Sequence, residues 1–371
     1  LPNINYNINK KMDNTPVKNK LEKLLGLTID NKASDLHLTA GYSPMIRVNG
    51  TLYPVGGEDV LTKETVEELV TALVGDKKEK LLKEKEIDLS YSFGDRGEFR
   101  VNAYHQQQSL AACLRFLRSK IPTLDELNLP SLLRSLTKWR QGFVLVAGPT
   151  GHGKSTTIAA LLEEINQTRG GHIITIEDPV EYRMVPKKCL ISQREVGQDT
   201  LSWSNALRSA LREDPNVVFV GEMRDLETIS AALTIAETGH LVFSTLHTNS
   251  AAETVDRIID VFPTGSKAQI RLQLANVLGA VISQRLVPTI KPGRVPAVEL
   301  LFSSMAVKTA IRDGKTHMID NIIQTSGELG MNLLETSLAN WVKKGVISRE
   351  VAEGFSLRKD ELVRNLRQKN V

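Results

Sequence analysis

The chain is poor in cysteine, in aromatic residues and in charge imbalance, and each shortage excludes something. Two cysteines, Cys113 and Cys189, stand far apart in 371 residues. They provide neither a disulfide framework nor a four-cysteine zinc site, and they fit a reducing cytoplasm. Aromatic residues make up 5%, and a net charge of +4 is small against 47 basic and 43 acidic side chains. Neither a base-stacking surface nor the basic footprint of a duplex binder is present, so no nucleic-acid partner is expected. No run approaches the roughly 18 apolar residues that a membrane span needs. Residues 1–16 hold five asparagines and no apolar signal segment, and are expected to form a disordered tail. What remains is ordinary soluble composition, 41% hydrophobic and 24% charged, in a length that suits two domains.

The most informative stretch is Gly148, Pro149, Thr150, Gly151, His152, Gly153, Lys154, Ser155, Thr156, which fits G-x-x-x-x-G-K-[ST]. Its surroundings are those a phosphate cradle requires. Residues 143–147 read as a buried parallel strand, and residues 155–167 read as a helix. Glycines let the main chain turn its N–H groups inward around a β-phosphate, and the helix presents its positive end. Lys154 reaches the β/γ oxygens of ATP, and the Ser155 hydroxyl is the candidate ligand for Mg²⁺.

The fold class read from the pattern is α/β, with a smaller α+β domain in front. In the smaller one, expected over 17–120, a helix at 18–25 precedes strands at 35–39, 45–49, 50–54, 99–104 and 110–117. The Lys/Glu-dense segment 77–86 reads as a solvated helix surface, with a docking face as the alternative. Prolines at 122 and 130 mark a linker, 121–133, before a second domain over 134–371. There, apolar runs at 143–147, 173–177, 217–221 and 241–245 alternate with helical stretches, the signature of a mostly parallel sheet. Catalytic groups should gather at the carboxyl ends of those strands. The last ~65 residues read as helices, with Leu334, Leu338, Trp341 and Val342 forming an apolar stripe for core packing.

Acids and a histidine stand at those strand ends. Glu177 opens the cluster Glu177-Asp178-Pro179-Val180-Glu181, fit to orient Mg²⁺ or water. Glu222 follows Val217-Val218-Phe219-Val220-Gly221, where it can align or deprotonate an attacking water or, alternatively, cap the next helix near Asp225. His247 can sense a γ-phosphate or bond Glu222, a purely structural histidine being the alternative. His240 and His247 lack a third ligand for zinc.

Four blocks in order, GPTGHGKST from Gly148, ITIEDPVEY from Ile174, LRSALREDPNVVFVGEMRD from Leu207 and TGHLVFSTLHTNSAAETVDRIID from Thr238, resemble the secretion ATPase superfamily of type II/IV secretion and type IV pilus motors. SDLHLTAGYSPMIRVNG from Ser34 and AVKTAIRDGKTHMIDNIIQTS from Ala306 resemble its pilus retraction branch. The resemblance implies a PAS-like first domain, a RecA-like P-loop NTPase second domain, and a ring of six chains with ATP between the domains. It implies peripheral association with the inner face of the cytoplasmic membrane, an inner-membrane pilus platform protein as partner, and pilin removal as the work done. Arg100 and Arg115 match family arginines that reach the phosphates. Glu98 stands where the family tends to have arginine, so that one phosphate-facing positive charge is absent or supplied by Arg96, and His152 replaces a common serine. The other readings are an extension or secretion motor of the same superfamily, a nucleic-acid translocase, and a non-hydrolysing nucleotide-regulated scaffold.

Overall fold

A computed structural model describes residues 16–367 except 49, 118 and 119; the expected tail lies almost wholly outside the described residues. Contacts divide the chain into two units, 1–119 and 120–371. Among the described residues no helix is long and apolar enough to cross a membrane.

The first unit is one antiparallel sheet of six strands: β1 (Asp35–Thr39), β2 (Met45–Val48), β3 (Thr51–Pro54), β4 (Glu86–Ser92), β5 (Glu98–Gln106) and β6 (Ser109–Leu117). Their order is β3-β2-β1-β6-β5-β4. Period-two alternation buries one face: Leu36 and Leu38 in β1, Ile87 and Leu89 in β4, and Phe99, Val101 and Ala103 in β5. Helices Pro16–Asp30 and Lys63–Val74 close that face with Leu21, Leu24, Leu25, Val66, Leu69 and Val70. The helix Lys63–Val74 and β4 are additions to the elements expected. In β5 and β6 the register sets Arg100 directly opposite Arg115.

The second unit is a seven-stranded sheet: β7 (Gly142–Ala147), β8 (Gly171–Glu177), β9 (Cys189–Glu195), β10 (Val217–Val220), β11 (Leu241–Leu246), β12 (Leu278–Pro288) and β13 (Arg294–Phe302). The order is β13-β12-β7-β11-β10-β8-β9. All neighbours are parallel except the pair β12–β13. The central strands read as unbroken apolar runs because helices cover both faces, so every residue of β10 and β11 is buried. β9, β12 and β13 have no counterpart among the strands expected from the sequence.

The segment 121–133, expected as a linker, packs into this second unit. Leu124, Leu129 and Leu133 join Ile158, Leu161 and Leu162 of the helix Lys154–Thr168 in one core cluster. Apolar burial at these positions outweighs the loop signal of the two prolines.

The C-terminal helices are tied to the sheet through one guanidinium. Arg358 donates to Glu299 of β13 at 3.0 Å, to Glu335 at 3.2 Å and to Asp320 at 2.9 Å. Glu299 and Glu335 are fully buried. Burial pushes the Glu299 carboxyl up, against the N–H of Ala251 and the charge of Arg358.

Candidate active site

The strand-to-helix turn after β7 is built for close approach. Gly148 has φ +143°, and a Cβ there would lie 2.3 Å from the carbonyl oxygen of Gln284 in β12. Gly153 (φ +82°) faces the Gln284 side chain and Leu286. Only glycine accepts that backbone against that neighbour. The helix Lys154–Thr168 then begins, its first turn open to an anion.

Around this turn lies a cleft of about 500 Å³, lined among others by Thr150, Lys154, Ser155, Glu177, Glu181, Glu222 and His247. The strands deliver the side chains: Glu177 ends β8, Glu222 follows β10 by two residues, and His247 follows β11 by one. Their convergence is a product of parallel pairing in register, Val220 beside Ser244 and Ile176.

Lys154 is 7% exposed, and its Nζ donates to the carbonyls of Gly148 (2.9 Å) and Pro149 (3.0 Å). Burial lowers its ammonium pKa, while Glu181 and Glu222 hold it up. Nδ1 of His247 lies 3.4 Å from Lys154 Nζ and 3.2 Å from Thr150 Oγ1; its Nε2 lies 3.3 Å from Glu222 Oε2. One imidazole therefore bridges the phosphate-loop lysine and the strand-end acid. The other Glu222 oxygen is 2.5 Å from Arg224 Nε. Helix capping falls to Asp225, whose Oδ1 accepts the N–H of Thr228 at 2.8 Å. Glu222 is thus left to the cleft rather than to the helix.

Glu177 is buried and its carboxyl is raised to about 7. Burial is the main cause; hydrogen bonds from Thr175 Oγ1 (2.6 Å) and Gln193 Nε2 (3.3 Å) oppose it. Ser155 Oγ donates to Glu181 Oε1 at 2.9 Å, and Thr156 Oγ1 meets the Tyr182 hydroxyl at 2.9 Å. Ser155, Glu181 and Glu222 present hard oxygen donors, the chemistry Mg²⁺ takes. His152 turns away from the cleft's acids: Nδ1 accepts the N–H of Leu286 at 3.0 Å, and its carbonyl accepts Gln284 Nε2 at 2.8 Å.

The two arginines expected at the phosphates belong to the first unit, where each meets an acid of its own sheet. Arg115 Nε donates to Asp35 at 2.9 Å, and Arg100 lies 3.9 Å from Asp88. Arg96, the substitute charge, is committed to Asp30 at 2.6 Å. Arg224, Arg294, Trp203 and Leu286 also line the cleft and were not singled out from the sequence. Gln284 was missed as well, although a Ser-Gln pair inside the apolar run 278–288 marks a strand with polar work to do.

The sequence matches the family model of the type II/IV secretion system protein over residues 10–350. It is 48% identical over 333 residues to the type IV pilus retractation ATPase PilT of Pseudomonas aeruginosa, covering 90% of this chain and 96% of that protein. Identity to a twitching motility protein of Neisseria gonorrhoeae is 47% over 312 residues, covering 84% and 83%. A crystal structure of the pilus retraction motor PilT with bound ADP superposes with a TM-score of 0.86 at 43% identity, covering 92% of this chain and 98% of that one.

Proposed function

Because the chain belongs to the type II/IV secretion system protein family, we propose that it is an ATP-hydrolysing motor that withdraws pilin subunits from a type IV pilus. The observation that carries the catalytic half is the cleft in which His247 joins Lys154 to Glu222. The retraction half rests on the relatives similar along nearly the whole chain, which are pilus retraction motors.

The residues present fit a nucleotide triphosphate with Mg²⁺. The glycine-built turn offers main-chain N–H groups where no Cβ intervenes, and Lys154 supplies charge for the β/γ oxygens. Ser155 would hold the metal with help from Glu181, and Mg²⁺ would offset phosphate charge. Glu222 orients the attacking water and takes its proton, the work of a general base held by a cationic neighbour, Arg224. His247 couples the state of the phosphate end to that base, since one ring touches both groups. Arg100 and Arg115 are proposed to reach the phosphates in an assembled ring of six chains, where they would stabilise charge developing in the transition state. The ring is proposed to work at the inner face of the cytoplasmic membrane, against a platform protein of the pilus base. Cycles of nucleotide binding and release would move the two units as rigid bodies.

Deleting the gene in its native host and imaging pili tests this reading. Abundant static pili are the expected result. Bald cells overturn retraction in favour of extension, and unaltered pili with a protein inert toward ATP overturn the motor reading altogether.

A further inference from the structure

β12 runs beside β7 only as far as Ser283, which pairs with Ala147 where β7 ends. Beyond that point the side of β12 that β7 covered faces the phosphate loop, and a main-chain N–H there needs an acceptor. Leu286 N–H finds one in the Nδ1 of His152, at 3.0 Å. A ring nitrogen that accepts carries no proton, so the proton of this imidazole sits on Nε2. The same residue's carbonyl accepts Gln284 Nε2 at 2.8 Å, and Gln284 Oε1 in turn accepts Thr157 Oγ1 at 2.7 Å. The imidazole also stands 6.5 Å, centroid to centroid, from the ring of Phe355 at the end of the helix Arg349–Phe355.

We propose that His152 is a positioning residue of the nucleotide site: its uncharged imidazole accepts the Leu286 N–H and so pins the tip of the phosphate loop to β12. The proposal rests on the ATPase reading above. Its physical content is preorganisation. A phosphate loop binds through N–H groups whose directions depend on loop conformation, and a tie to a rigid strand removes conformations that would otherwise be lost at binding. A serine at this place is too short to carry an acceptor as far as an imidazole does.

The tie depends on pH with a definite sign. The charges acting on the ring are cations: Arg285 on β12, Lys154 at the head of the loop's helix and Arg294 on β13; from the C-terminal helix Arg349–Phe355, Phe355 stands beside it. Burial first, then these three charges, lowers the imidazole below its ordinary 6.5. The acceptor is therefore intact above 6.5 and is lost as pH falls through the ring's own, lower value. Protonated Nδ1 becomes a donor facing a donor.

The experiment compares wild type with His152→Ala, His152→Phe and His152→Asn, measuring ATP affinity and steady-state turnover, with thermal melting to check folding. Asparagine restores an acceptor near Nδ1; phenylalanine keeps the ring beside Phe355 without one. Losing one hydrogen bond's net worth should raise Kd and KM for ATP about 3–10-fold in the Ala and Phe variants. kcat should stay within about twofold, because ground and transition states share the cradle. His152→Asn should stay near wild type, and it should lack the extra loss of affinity that wild type shows as pH falls below 6.5. The γ-phosphate titrates in the same range for every variant, so the ratio to His152→Asn isolates the imidazole. An Asn variant as weak as Ala, a Phe variant as tight as wild type, or superimposable acid limbs in wild type and Asn would each overturn the proposal. A wild-type protein that does not bind ATP defeats the ATPase reading instead.

Discussion

In the second unit the cation offered to phosphate, Lys154, leans on neutral groups, the carbonyls of Gly148 and Pro149. In the first unit Arg115 leans on Asp35, a buried carboxylate 2.9 Å away. Redirecting a lysine from carbonyls to phosphate costs little, because a charged acceptor replaces neutral ones. Redirecting an arginine from a buried acid costs more, because Asp35 must keep other partners; Ser34 Oγ at 2.7 Å and Arg47 at 3.8 Å are in place to serve. The comparison teaches that a motif locates a charge without telling how it is already engaged. By this contrast Lys154 is a standing part of the cradle, and the arginines are groups that must be recruited.

The sharpest break of this picture is Lys154→Ala, which should abolish ATP binding and turnover while melting stays near wild type; preserved hydrolysis would remove the lysine from the cradle. Next in size is Glu222→Gln. Turnover should fall about 10²–10⁴-fold with nucleotide still bound. Loss of binding instead would make Glu222 a metal-holding or structural residue.

Arg115→Ala should cut turnover about 10²-fold, the worth of one donor to a developing charge, while changing ATP affinity less. Because it also strips a partner from buried Asp35, the first unit should melt earlier, and Arg115→Lys should recover part of that melting. Wild-type turnover in an Arg115→Ala protein would leave the pair with Asp35 as the arginine's whole role.

The smallest effect concerns Glu177. Its folded carboxyl, at about 7, lies above its ordinary 4.5, so the folded state holds a proton that the unfolded chain has already released. Stability is then fullest below 4.5, falls as pH rises toward about 7 and is flat beyond. Glu177→Gln should remove that fall. Parallel melting curves of mutant and wild type across this window would place the Glu177 proton elsewhere.

The site's main-chain parts were legible in the sequence because strand, glycines, lysine and helix are contiguous there. The four central strands were legible for a related reason: burial on both faces leaves unbroken apolar runs such as Val217-Val218-Phe219-Val220. β9 was not, since an edge strand with Ser192, Gln193, Arg194 and Glu195 carries no such run. β4 was hidden by its position after a Lys/Glu-rich helix, although Ile87, Leu89 and Tyr91 alternate as they should. Leu286 and Arg294 reach the cleft, and Gln284 reaches the phosphate loop behind it, from more than a hundred residues downstream. Their contribution depends on β12 pairing beside β7, and pairing of distant strands is set by packing rather than by any local spacing.

The guanidinium of Arg358 has a meaning in time as well as in space. Glu299, Asp320 and Glu335 all precede it in the chain, so a growing polypeptide makes three acids before it makes the one base that joins them. About 60 residues separate the first acid from that base, a wait on the order of 3–12 s at 5–20 residues per second. Through that interval β13 can bury Glu299 only as an unpaired carboxylate or with its proton retained. Full neutralisation of these acids is thereby deferred until the C-terminal helices have been made, and a chain halted inside this interval would carry its phosphate loop complete but the acid of its outer strand without its cation.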